Sequence, residues 1–225
     1  MPKWIKTFIA ILLLPVCIGT WRALLQVIAG AGGALDVWVP LASGAGCWIA
    51  VFLFLPRQAW LYVMGHEMTH VVWSWAFGGK LKRFKVGAKS GHVVVTKSNF
   101  LVALAPYFFP LYSIAVVLVF GVVHAFWQET KAVPVFHLLL GTTYAFHITW
   151  TCEVLRTQQS DISGQGYLFS AVVVFIGNLA VLILGVALLS GKPALTQVAA
   201  DWIGFSLYGY QWCWEEVAYL FRGKA

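Results

Sequence analysis

Five consecutive residues, His66-Glu67-Met68-Thr69-His70, place two imidazoles four positions apart with a carboxylate beside the first. On a helix, positions i and i+4 share a face, so both rings can offer nitrogens to one Zn²⁺ at about 2.0–2.1 Å. Glu67 is turned roughly 100° from His66, which suits contact with a water at the metal more than with the metal itself. A carboxylate so placed can take the water's proton as general base and pass it to a leaving amine. Zinc would polarise the carbonyl under attack and make water a usable nucleophile near neutral pH. The chemistry this pattern serves is peptide-bond hydrolysis.

A catalytic zinc takes three protein ligands and keeps a fourth position open. Asp161, in Gln159-Ser160-Asp161-Ile162-Ser163-Gly164 just ahead of a long apolar run, is the leading candidate for the third. A plain helix N-cap is the competing reading of that residue. His147 and Glu153, six positions apart on the preceding apolar stretch, are alternatives, and Asp36 and Asp201 lie at other segment ends. His92, His124 and His137 read as interfacial or core histidines. Asn99 reads as a helix cap and Asn178 as a mid-span group hydrogen-bonding across helices, each with a lesser option of holding substrate backbone. Cys17, Cys47, Cys152 and Cys213 form no CxxC pair, so they read as small buried hydrophobes and not as a zinc ribbon or redox motif.

The elements that must carry these residues are apolar. Of the 225 residues, 60% are hydrophobic and 10% charged, against about 25% charged in an ordinary soluble domain. The mean hydropathy is +0.81. Lipid is the solvent that suits such a chain, and its length allows about five or six spans of roughly 20 residues. Apolar stretches run over residues 7–28, 37–55, 60–77, 100–123, 133–155 and 167–189. The HExxH run lies in the third, and the fourth holds Pro106 and Pro110 in its first half. A polar loop follows that stretch, from His124 to Lys131. Ser43-Gly44-Ala45-Gly46 in the second would let another helix approach closely. Residues 195–222 are rich in Trp and Tyr and read as an interfacial helix more than a sixth span. Thr20-Trp21-Arg22 is a poor signal-peptidase site, so the first stretch reads as a retained span.

After the HExxH stretch the character changes. Lys80, Lys82, Arg83, Lys85, Lys89 and Lys97 cluster in a segment where 84–86 and 92–96 read as short strands around a turn at 87–91. Near a bilayer such a hairpin has to pack on protein or lie at the surface. Its charge predicts a cytoplasmic position for 80–97. The span from Phe100 then exits and the span from Val133 returns, bringing Asp161 to the hairpin's side. Lys3 and Lys6 fit this less well: if both early stretches cross, they lie outside, unless one is re-entrant. The net charge of +7 fits orientation in an anionic bilayer, and no basic-aromatic nucleic-acid motif accompanies it.

The expected fold is therefore mainly α: a polytopic transmembrane bundle with a small β-hairpin after the HExxH helix. It forms a single domain over 1–225, with a functional core at 59–190 and an aromatic-rich segment at 195–222.

These features resemble the site-2 protease family of intramembrane zinc metallopeptidases. HExxH in an apolar helix carries the resemblance, with the basic strand-like segment Lys80 to Thr96 after it. Ala103-Leu104-Ala105-Pro106-Tyr107 follows, and then Asp161 with Gly164 ahead of a later span. The resemblance covers about residues 59 to 190. It implies zinc held by His66, His70 and Asp161, Glu67 as base, and hydrolysis of membrane-anchored protein or peptide substrates within the bilayer. It also implies an edge strand that receives unwound substrate, a sound physical route because strand addition exposes the peptide bond. The family's usual Asn and Pro ahead of Leu-Asp-Gly are missing here, and no PDZ or CBS module fits in the length, so the chain looks like a minimal, divergent member. The competing readings are a non-catalytic zinc-binding membrane protein or partner subunit, and a metal-ion transporter. A transporter would spread polar groups along several spans, whereas this chain concentrates them. The sequence does not fix an oligomeric state.

Overall fold

The computed structural model describes residues 1–56, 59–88, 90–127 and 132–222. Arg57 at the end of the second apolar stretch, Lys89 in the hairpin turn and the end of the loop reaching Lys131 lie outside them. The protein is mainly helical with one small two-stranded antiparallel sheet. By internal contacts it divides into two compact units, Leu35–Gly164 and a second made of Met1–Ala34 with Gln165–Ala225.

The second unit consists of α1 (Lys3–Gly30), α8 (Tyr167–Ser190) and α9 (Leu195–Arg222). The Lys6 ammonium lies 5.9 Å over the Phe169 ring, and Gly30 lies against Pro193, so α8 runs parallel to α1. Ala23, Leu24 and Val27 pack with Leu179, Ile183, Ala187 and Val198 to form the core. The aromatic-rich tail, read as interfacial more than spanning, is not among the helices long and apolar enough to cross a membrane. It is a continuous helix running antiparallel along α1, with Trp202 Nε1 donating to Thr20 Oγ1 (2.8 Å) and Tyr210 OH to the Leu12 carbonyl (2.6 Å). Small residues permit this: a Cβ on Gly19 would lie 2.5 Å from Ser206 Oγ, and one on Gly209 would lie 2.8 Å from the Pro15 carbonyl. The Trp and Tyr side chains that suggested an interface serve in part as hydrogen-bond donors to α1.

In Leu35–Gly164, α2 (Leu35–Phe54) and α6 (Val133–Leu155) run parallel. Gly44 meets Leu138 and Thr142, Trp48 Nε1 donates to Thr149 Oγ1 (2.9 Å), and Phe52 packs on Trp150. The small-residue patch thus works as a close-approach surface. A Cβ on Gly44 or on Gly141 would lie 1.9 Å from a carbonyl of the opposite helix.

The HExxH run sits on α3 (Ala59–Ala76). β1 (Leu81–Val86) and β2 (Gly91–Val95) follow, within one to three residues of the strands read from the sequence. The hairpin folds back along α3: Gly91 lies against Glu67 and Val63, while Ser74 Oγ donates to the Lys97 carbonyl (2.8 Å).

The stretch from Phe100 is not one straight span. It is α4 (Phe100–Leu104), a 3-10 turn at Ala105–Tyr107, and α5 (Leu111–Trp127), with an 82° bend between the two parts. Pro106 and Pro110 lack the N–H that would continue the ladder, which is why the helix breaks there. α5 also carries His124, expected in a loop. It runs antiparallel to α6, with Ser113 hydrogen-bonded to Thr143 and Phe120 stacked on Phe136 at 4.2 Å. Strict alternation of straight spans would set α2 and α6 antiparallel. The folded-back hairpin and the bend at the prolines are where that alternation is lost.

Among the described residues, α1, α2 and α8 are long and apolar enough to cross a membrane, and the bent pair makes a fourth if counted as one span. α3 and α6 fall short because of the polar residues they carry, among them His66, Glu67 and His70 on α3 and His147 and Glu153 on α6.

Candidate metal centre

α3 is a regular helix, so His66 and His70 fall on one face, with rings edge-to-face at 4.9 Å between centroids. Asp161 comes from the first turn of α7 (Ser160–Gln165). Its Oδ2 lies 3.4 Å from His66 Nε2 and 3.5 Å from His70 Nε2. One ligand atom from each of the three residues falls within a 4.8 Å set, so the group could hold a metal ion.

The donor chemistry fits that use. His70 Nδ1 is 2.7 Å from the Val102 carbonyl. A carbonyl only accepts, so Nδ1 carries the proton and Nε2 turns a lone pair toward Asp161. A ring nitrogen fixed this way is the usual arrangement behind a metal-binding imidazole. Lone pairs converging from two imidazoles and a carboxylate repel unless a cation lies among them. Tetrahedral ligand atoms about 2.0–2.1 Å from zinc stand about 3.3–3.4 Å apart, close to the two nitrogen–oxygen separations here.

Glu67 projects onto the wall of an adjoining cavity of about 550 Å³, shared with His66, His70, Asp161 and residues 91–93 of β2. The glutamate is buried to 9% exposure. β2 approaches so closely that a Cβ on Gly91 would lie 2.5 Å from Glu67 Cγ and 2.7 Å from its Oε1. Glycine is required there for the approach itself, not for an unusual backbone angle. β2 pairs with β1 alone in its sheet, so its other edge has no ladder partner among the described residues.

The structure therefore brings together His66, Glu67, His70 and Asp161. It does not bring the alternatives in. Glu153 pairs with Arg156 at 3.2 Å. His147 is buried, but it lies outside the set of converging ligand atoms. Asn99 caps α4, its side chain accepting from the Val102 N–H at 2.9 Å, which fixes the carbonyl that orients His70. Asn178, half-buried, donates to the Val174 carbonyl of its own helix.

Two residues near the site were read otherwise from the sequence. Tyr107 is fully buried, its hydroxyl 3.3 Å from Asp161 Oδ2 and its ring edge-on to His66 at 5.3 Å. Its only sequence signal was the adjoining Pro106, which turns the chain and brings the phenol to Asp161. His92 read as a bland histidine; it lines the cavity beside Glu67, and the hairpin's fold along α3 puts it there. No protein-family model matches this chain, and no curated protein or solved structure does either.

Proposed function

We propose that this protein is an intramembrane zinc metalloendopeptidase of site-2 protease type, hydrolysing peptide bonds of membrane-anchored proteins. The observation that carries the reading is the convergence of His66, His70 and Asp161 on one cavity wall with Glu67 beside them and an unpaired strand edge across from them. His66, His70 and Asp161 would hold the zinc, which when bound supplies Lewis acidity and acidified water at an open position.

The residues of the chain divide the remaining work. Glu67 accepts the proton of the attacking water and returns it to the leaving amine. The free edge of β2 takes an extended substrate segment as an added strand, using main-chain hydrogen bonds. This holds a peptide bond unwound beside Glu67, where a helical one would be shielded. The close seat of Gly91 on Glu67 fixes the distance between that edge and the base. Tyr107 and the Val102 carbonyl hold Asp161 and His70 in place.

The membrane reading extends to five or six crossings, with α6 following α2 and α9 following α1, and with the basic hairpin on the cytoplasmic side.

The test is zinc content and cleavage of a membrane-anchored peptide panel by purified protein, wild type beside Glu67→Gln. The reading expects about one zinc per chain in both and cleavage by wild type reduced about 10²–10⁴-fold in the variant. Zinc in both proteins with equal turnover, or with none, would favour a non-catalytic zinc-binding membrane protein or partner subunit. A folded wild type that binds no zinc would sink the enzyme.

A further inference from the structure

Behind the candidate centre, on the side of His66 away from Asp161, lies a second and much smaller cavity of about 20 Å³. It is bordered by His66, Thr69, Tyr112 and His147 among otherwise mostly apolar neighbours. Two of these residues bring buried nitrogens without a partner, Nδ1 of His66 and Nε2 of His147. Leaving either unmade in an apolar bundle is costly, so two on one cavity call for a ligand. The space fits one water, which needs about 10–15 Å³ and two to four polar partners.

The hydrogen inventory of the two nitrogens closes around a single water, and the buried Tyr62 hydroxyl on the same cavity is a further polar neighbour. If His66 Nε2 faces Asp161 as a ligand atom, Nδ1 carries the ring's proton and needs an acceptor. Thr69 Oγ1 already donates to the Gly65 carbonyl (2.7 Å) and Tyr112 OH to the Leu61 carbonyl (2.7 Å). Each hydroxyl oxygen therefore has only lone pairs left to offer. A water in the cavity can accept from His66 Nδ1–H, satisfy His147 Nε2 in either tautomer, and donate to Thr69 or Tyr112.

We propose that this cavity holds one ordered water bridging His66 to His147, and that His147 is thereby a positioning residue fixing the tautomer of the first histidine ligand. The role parallels what the Val102 carbonyl does directly for His70. The inference rests on His66 as a metal ligand, and its hydrogen bonding is read from the ring tautomer and water contact, separately from activity.

The experiment is ¹⁵N NMR of the histidine rings in the zinc-loaded, detergent-solubilised full chain. The His66 signals are identified by comparison with His66→Gln, and water contact is read by transfer from solvent to the ring N–H. Wild type should show His66 in the Nδ1–H form in contact with a slowly exchanging water. His147→Phe, which removes the polar partner, should shift His66 toward the Nε2–H form and weaken zinc binding about 10–100-fold. His147→Gln, which keeps a polar group, should restore both. His66 as Nε2–H in wild type, a dry ring N–H, or a His147→Phe protein unchanged in tautomer and affinity would each overturn the proposal. If His147→Phe does not fold, the wild-type tautomer and water contact decide alone. A wild type that binds no zinc but shows the bridged Nδ1–H ring would defeat the metalloprotease reading and leave the bridge standing.

Discussion

Both compact units bond polar side chains along and between helices, and Leu35–Gly164 adds a second use. In the unit of α1, α8 and α9, many polar side chains bond to a carbonyl of their own helix or to the helix alongside. Thr20 bonds Val16, Ser190 bonds Val186, Asn178 bonds Val174, and Trp202 reaches across to Thr20. Of these bonds the one from Trp202 joins two helices and the other three close on their own helix. In Leu35–Gly164, side chains of α3 and of the 3-10 turn, His66, His70 and Tyr107, lie up to 95 residues from Asp161 and converge on one of its carboxylate oxygens. Local satisfaction is glue, whereas convergence is the arrangement that chemistry requires. Polar residues are expensive in a bilayer in either case, and their geometry tells the two uses apart.

Asp161→Ala breaks the convergence at its centre and should have the largest effect. Three lone-pair donors become two, and His70 Nε2 loses the group it faces. Zinc content should fall from about one per chain to near zero, and cleavage should go with it, while detergent-extracted protein stays folded. Zinc retained at wild-type affinity would mean that the metal, if bound, uses another ligand, and the contrast between the units would lose its basis.

Gly91→Ala probes the strand and not the ligands. Its methyl would press on Glu67, so β2 or the glutamate must move. Overpacking of this kind costs about 1–3 kcal/mol. The expected result is turnover reduced roughly tenfold, about 1.4 kcal/mol on the activation barrier, with zinc content unchanged. Unaltered turnover would mean that the seat of β2 on Glu67 does not set the distance between substrate and base.

How far these features could be read in advance follows from what sequence patterns encode. Periodicity places His66 and His70 on one face, and the HExxH spacing sets Glu67 beside them. Asp161 was identifiable as an acid ahead of a long apolar run. The small residues at 43–46 announced a close helix contact, realised against Leu138. What stayed hidden depends on neighbours distant in the chain. Apolar patterning says which face of a helix is covered but not by what, so the parallel course of α2 and α6 could not be read. The two prolines lay in what read as one span, which bends by 82° there, and without that angle Tyr107 has no reason to meet Asp161. Gly91 looked like a turn residue, and its second use as clearance for Glu67 needs the hairpin's fold along α3. The contact of the aromatic tail with α1 also stayed hidden, because Trp and Tyr serve equally at a membrane interface and as donors to a helix alongside.

The smallest predicted effect tests the glue side of the contrast. Thr20 is fully buried, donates to Val16 (2.7 Å) and accepts from the Trp202 indole (2.8 Å). Thr20→Val keeps the shape and removes both bonds. Hydrogen bonds between membrane helices average about 0.6 kcal/mol and reach about 1.7 kcal/mol, because the unfolded chain in lipid also finds partners. The variant should therefore lose about that much stability in a detergent-unfolding titration, with zinc content and turnover unchanged. A loss of zinc would show that the α1–α9 contact supports the metal centre after all, and the division between stitching residues and converging ones would have to be redrawn. A stability loss well above the upper figure would mean that the Trp202 N–H, once orphaned, finds no substitute partner, which makes this single bond the pin that seats α9 on α1.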